Sequence, residues 1–161
     1  MDQLSQVPLT LCLGKATLAA GTTSTLSSTG TLAFAIKGKA YSHAALSNTA
    51  TPTTDATTGA AFVPIVTNMG AVIVIGFDAA GNLKASQGPA QALDVAGNFV
   101  VSPQFAAVPD TMCPIGWEVI KAGSTASASG WVFGTNNQAS VTGITYSFTD
   151  CVTLPERPQV S

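Results

Sequence analysis

Charge is what this sequence most lacks. Of 161 residues, six are Lys or Arg and eight are Asp or Glu, so 9% are charged, against roughly a quarter in an ordinary soluble domain. With a net charge of −2 and no basic cluster beyond Lys37 and Lys39, the chain lacks the several cationic contacts that phosphate backbones require, so nucleic acid is not an expected partner. Long apolar runs are missing too: nothing approaches the roughly 18 residues of a membrane span. The short apolar stretch Leu9-Thr10-Leu11-Cys12-Leu13 is preceded by Asp2 and by no Lys or Arg, and Lys15 interrupts it. That is a poor secretion signal, and the expectation is synthesis in the cytoplasm with no membrane partner. Cysteine is sparse: Cys12, Cys113 and Cys151 are an odd number, widely spread, with no CxxC pair. They form neither a disulfide framework nor a zinc pattern and read as small buried hydrophobes in a reducing compartment, with a Cys113–Cys151 proximity left open.

Catalytic signatures are equally scarce. His43 is the sole histidine, and a nominal Ser/Asp/His set is available in almost any chain of this composition. No GxSxG, HExxH or P-loop pattern occurs, so the expectation is a protein without catalytic residues and without a cofactor or metal. Trp117, Trp131, Tyr146 and Phe148 admit two readings, a sugar-stacking platform or the core of a C-terminal sheet, and the second is preferred.

What the chain has is Ala, Thr, Ser, Gly and Val, with 46% hydrophobic residues and a mean hydropathy of +0.36. A chain this poor in charge has little electrostatic protection against self-association. Either neighbours cover much of its surface, or Thr and Ser hydroxyls alone keep it dissolved; the first is the working reading.

Helical periodicity is almost absent, while Thr, Val, Gly and Pro favour strands and turns. The segment 15–26 predicts two short strands around Gly21. Thr31–Lys37 alternates, with Leu32, Phe34 and Ile36 on one face, and Gly38 lets Ala40–His43 pair back. Residues 44–60 are polar and irregular and predict a long surface loop. Ala71–Phe77 is continuously apolar and predicts a strand buried on both faces, with Phe62–Val66 as its partner and Pro64 at an edge. Phe77-Asp78-Ala79-Ala80-Gly81-Asn82-Leu83 and Leu93-Asp94-Val95-Ala96-Gly97-Asn98-Phe99 repeat one pattern. Asp, Gly and Asn sit where a hairpin turn needs side-chain hydrogen bonds and positive φ, and one carboxylate per copy is too few for calcium. Ile115–Lys121, Trp131–Phe133 and Gly143–Phe148 predict further strands.

The fold class expected is therefore all-β, an antiparallel sandwich or barrel-like body over residues 15–152, with a possible subdivision near 103–110. An extended N-terminal arm (1–14) precedes it. An extended tail (153–161) follows, because Pro155 and Pro158 prevent both helix and central strand.

Several segments carry a resemblance. Pro109–Thr125, with Met112-Cys113-Pro114-Ile115-Gly116-Trp117-Glu118 at its centre, resembles a segment of small virion proteins of tailed bacteriophages. So do Trp131–Thr135, Leu154–Gln159 and Pro52–Phe62, and together these cover roughly residues 40 to 161. The resemblance implies a virion structural protein, with a capsid decoration (cement) protein on the head surface as first choice. Such a protein spans junctions between capsid subunits, usually as a trimer, and multivalent attachment builds avidity from modest contacts. The partners implied are the major capsid protein and copies of the chain itself. The alternatives are a head fibre, tail fibre or spike-type host-recognition protein, and a carbohydrate-binding module. The contact residues expected are Leu9 and Leu11 of the arm, Thr53, Thr54 and Asp55 of the long loop, and Leu154, Pro155 and Arg157 of the tail.

Overall fold

The computed structural model describes residues 9–159. Eleven strands lie among them: β1 (Leu11–Cys12), β2 (Ala19–Ala20), β3 (Thr25–Ser27), β4 (Leu32–Ile36), β5 (Lys39–His43), β6 (Thr49–Ala50), β7 (Met69–Asp78), β8 (Leu83–Gln87), β9 (Gln91–Ala92), β10 (Met112–Ala122) and β11 (Ile144–Asp150). No helix occurs among the described residues. The protein is all-β, as its composition predicts, with every strand pairing antiparallel.

The longest apolar run forms the axis of the main sheet. β7 lies at its centre in the order β11-β10-β7-β8, with β9 pairing the start of β7. Only its first and last residues are less than fully buried. A pleated strand sends alternate side chains to opposite faces. Ile73, Ile75 and Phe77 accordingly enter the larger core with Phe34, Leu32 and Ile120. Val72 joins Trp117 and Val119 on the other face, where Phe99, Phe105, Cys151 and Leu154 cover them.

In β10 the parity changes midway. Cys113 and Ile115 face the larger core, whereas Trp117 and Val119 face the smaller one. The register against β7 shifts between Pro114 and Gly116. One extra residue at a bulge moves every later side chain to the opposite face. Pro114, which has no N–H to donate, sits at the bulge where a ladder bond is not required.

The sheet β1-β4-β5 closes over the larger core. Leu32, Phe34 and Ile36 of β4 point inward, and the Phe34 ring stacks on Phe77 and on Tyr41, both at 5.6 Å. Each buried aliphatic or aromatic side chain contributes about 1.5–3 kcal/mol, so this facing pair of sheets, a sandwich in outline, is the main source of cohesion. A third small sheet, β2-β3-β6, flanks it.

Both Asp-Gly-Asn repeats are turns. Asp78 Oδ1 accepts the N–H groups of Ala80 and Asn82, each at 2.9 Å, and Asp94 Oδ1 accepts those of Ala96 and Asn98 at 2.9 and 2.8 Å. Gly81 and Gly97 adopt φ of +82° and +79°, the left-handed region these turns demand.

Two expectations need correction. Phe62–Val66 does not pair with β7, whose two edges are taken by β10 and by β8 and β9. Instead Ile65 exchanges backbone hydrogen bonds with Trp131 at 2.8 and 2.9 Å. Trp131–Phe133 is no strand beyond that bridge, because Gly130 and Gly134 turn the chain at both ends with φ of +83° and +77°. Of the expected arm, residues 1–8 lie outside the described residues, and Leu11–Cys12 forms β1 against Phe34 and Ala35 of β4, with Cys12 fully buried. In the tail Leu154 packs on the Trp117 cluster and Pro158 is buried, while Thr153, Pro155, Glu156, Arg157 and Gln159 are exposed.

Candidate functional site

The sheet edges determine what the molecule can offer a partner. An unpaired strand edge presents a row of backbone N–H and C=O groups, a template for another strand. At the β8 edge two of these groups, on Ala85 and Gln87, are occupied. Ala56 N–H donates to Ala85 O at 2.8 Å, and Gln87 N–H donates to Asp55 Oδ2 at 2.7 Å. Asp55 Oδ1 also accepts the N–H groups of Thr57 and Thr58 at 2.8 and 2.9 Å. The long polar loop is thereby stapled along β8, with Asp55 buried.

The β11 edge differs. Gly88 N–H donates to Val72 O at 2.8 Å, so Val72 directs its polar groups to the β8 side and away from Val119, which lies opposite it on β10. Val119 therefore bonds to Ser147, its opposite residue on β11. Antiparallel ladders alternate with a period of two, so Thr145, Ser147 and Thr149 bond to β10, and Tyr146 and Phe148 direct N–H and C=O outward. Both ends of this edge are capped: Ile144 N–H donates to Val141 O at 3.1 Å, and Val152 O accepts from Cys12 N–H at 2.8 Å. Asp150 Oδ1 accepts the Leu18 N–H at 3.0 Å. Between the caps the strand carries no Lys, Pro or bulge.

Exposed aliphatic side chains cluster near this edge and at one turn. Leu13 and Val152, on adjoining backbone segments, are 60% and 58% exposed; Val95, Val100 and Val101 are exposed around the second Asp-Gly-Asn turn. Scattered exposed aliphatics are ordinary. On a chain with so few charges they leave broad neutral surface.

Of the expected contact residues, Leu9, Thr53, Thr54, Pro155 and Arg157 are exposed, and Leu11 and Leu154 are half-buried. Asp55 is buried, its Oδ2 accepting the Gln87 N–H of β8 and its Oδ1 the N–H groups of Thr57 and Thr58 within the loop. The structure does not gather these residues into one patch. The β11 edge, Leu13 and Val152 were missed. The one available signal was the absence of Lys and Pro from Ile144–Thr149, which is informative only once that strand is known to lie at an edge.

For chemistry, the arrangement offers little. Among the described residues no three His, Cys, Asp or Glu side chains stand close enough to hold a metal ion. His43 lies flat on Phe77 at 4.3 Å, with Nδ1 2.6 Å from Ala44 O. Cys12, Cys113 and Cys151 are free thiols. Burial pushes Cys113 and Cys151 up to about 12, so neither forms a thiolate nucleophile at neutral pH. Cys151 meets β10 two residues from Cys113, its N–H donating to Ile115 O at 3.1 Å, while the two side chains pack in different core clusters. Trp117 and Trp131 are buried in different core clusters, which removes the paired platform that sugar stacking would use.

One buried acid stands out. Glu118, at the middle of β10, has no solvent exposure, and burial raises its carboxyl well above the ordinary value. Its partner is the buried Gln138 amide, which with its nitrogen inward donates to Oε1 at 2.9 Å and Oε2 at 3.2 Å. With its oxygen inward, the same amide accepts from a protonated carboxyl. Burial favours this second, neutral arrangement.

Compared with protein-family profiles, with curated proteins and with solved structures, the chain matches none.

Proposed function

We propose that this chain is a structural subunit of a bacteriophage particle, a capsid decoration protein that binds the outer surface of the head and stabilises it. The observation that carries the reading is a surface with few charges and with exposed Leu9, Leu13, Val63, Val95, Val100, Val101 and Val152. Its partners on this reading are the major capsid protein and further copies of itself. Neutral, hydroxyl-rich surface of this kind suits broad contact with a shell, because burying it demands little desolvation of charge. The resemblance of residues 40–161 to small virion proteins supplies the class of particle.

Add-back to capsids lacking the protein tests the reading. Purified chain should bind to saturation at a ratio set by the number of capsid subunits and raise the melting temperature of the shell. Absence of binding, together with competition between free chain and phage for the host surface, would instead favour a fibre or spike role.

A further inference from the structure

We propose that β11 is a self-association seam at which two copies of the chain pair antiparallel about a two-fold axis through Ser147, joining their main sheets into one.

The two outer edges of the main sheet differ: the loop bonds β8 at Ala85 and Gln87, whereas Tyr146 and Phe148 at the middle of β11 have no outward backbone partner among the described residues. The Asp55 loop staples β8 near its C-terminal end, and β11 is capped at Ile144 and beyond Asp150. Tyr146 and Phe148 keep outward backbone groups, with none of the usual protection by Lys, Pro or a bulge. A second copy of the strand fits this gap. In the register that places Ser147 opposite Ser147, Tyr146 faces Phe148 of the second copy and Phe148 faces its Tyr146. All four are outward-directed residues, so each facing pair exchanges both of its backbone hydrogen bonds. Ile144 to Thr149 contains no charged residue, so two copies meet without like-charge repulsion. The Tyr146 and Phe148 rings, already edge-to-face at 5.8 Å within one chain, gain cross-strand aromatic neighbours. Val152 and Leu13 lie just past the cap, where the 141–144 segment of the second copy approaches.

Two-fold pairing is isologous and closes on itself. The outermost strand on each side of the joined sheet is then β8, which its own loop bonds at Ala85 and Gln87. Where the three-fold arrangement expected of a decoration protein also forms, the seam links trimers in pairs. The inference rests on the sheet edges alone, so its failure would leave shell binding untouched.

The test uses the isolated full-length chain in sedimentation equilibrium, with amide exchange as a second readout. The mass should rise with concentration from 16.2 kDa toward twice that value or a higher even multiple, with the amides of Tyr146 and Phe148 gaining protection as it does. Ser147→Lys and Ser147→Glu place like charges on the axis, and each should weaken association about tenfold or more; mixing the two should restore it. Tyr146→Pro removes an outward N–H without breaking the ladder to β10 and should also dissociate the pair. A monomer at all concentrations with fast exchange at both amides would overturn the proposal. So would an oligomer, of any size, that is indifferent to charge at Ser147.

Discussion

Replacing Glu118 by Gln should abolish a pH dependence that the wild-type fold carries in its core. The wild-type carboxyl is fully buried in the central sheet, with Gln138 as its hydrogen-bonding partner. Burial alone accounts for its raised pKa, with no cation to offset it. The folded state therefore retains a proton that the unfolded chain releases near the ordinary value of 4.5. Below that value both states are protonated and the stabilising contribution is complete. As pH rises, the unfolded state ionises first, and stability falls by up to about 1.4 kcal/mol per pH unit until the folded-state pKa is reached. Gln at this position keeps the shape and can pair with the Gln138 amide, but it carries no titrating proton. Denaturant melts at half-unit steps from pH 4 to 8 would show wild type and Glu118→Gln close together at pH 4 and diverging above 5, with the variant the more stable. Asp78 and Asp94 do not confuse that window. In Asp78 burial is outweighed by hydrogen bonds from Asn82 and Ala80 and by Lys84, and in Asp94 the Asn98 N–H leads. Both are held below their ordinary value, so their contributions are present above it and fade only in acid. Parallel curves for the two proteins would refute the reasoning.

Further predictions concern the edges and the second core. Asp55→Ala removes the acceptor of three backbone N–H groups and should cost about 3 kcal/mol in denaturant melts; by loosening the cover of β8, it should also increase aggregation on concentration. Trp117 Nε1 is buried without an acceptor, so Trp117→Phe should change stability by no more than about 1 kcal/mol, whereas Trp117→Ala should cost about 3–5 kcal/mol. Truncation after Val152 strips Leu154 from the Trp117 cluster; the shortened chain should fold with a lowered melting temperature and incorporate poorly into particles, and unchanged incorporation would contradict the assignment of the tail as a contact.

How much of this was legible in the sequence varied with the range of the interaction. β7 was evident from one uninterrupted apolar run, and β4 from a clean alternation of Leu32, Phe34 and Ile36. The Asp-Gly-Asn turns were equally plain, because their hydrogen bonds close within five residues. What failed was pairing between distant segments. Phe62–Val66 looks like a partner for β7 by proximity, but β10, more than thirty residues downstream, takes that edge. The parity change at Pro114 was hidden because a bulge is defined by the opposite strand. Asp55 looked like an exposed loop acid, since nothing near it in sequence reveals that Gln87 N–H comes to meet it. The same holds for Glu118: its neighbours mark a strand, but only the fold buries it beside Gln138. The open β11 edge likewise exists only by contrast with the loop-stapled β8 edge.

The central claim is that this chain is a repeated subunit of a shell, and the copy number per purified particle tests it most directly. Quantitative mass analysis should find copies in a fixed proportion to the major capsid protein, as attachment at every equivalent junction requires. A count of about a dozen or fewer would place the chain at a single vertex or at the tail, and would contradict the account.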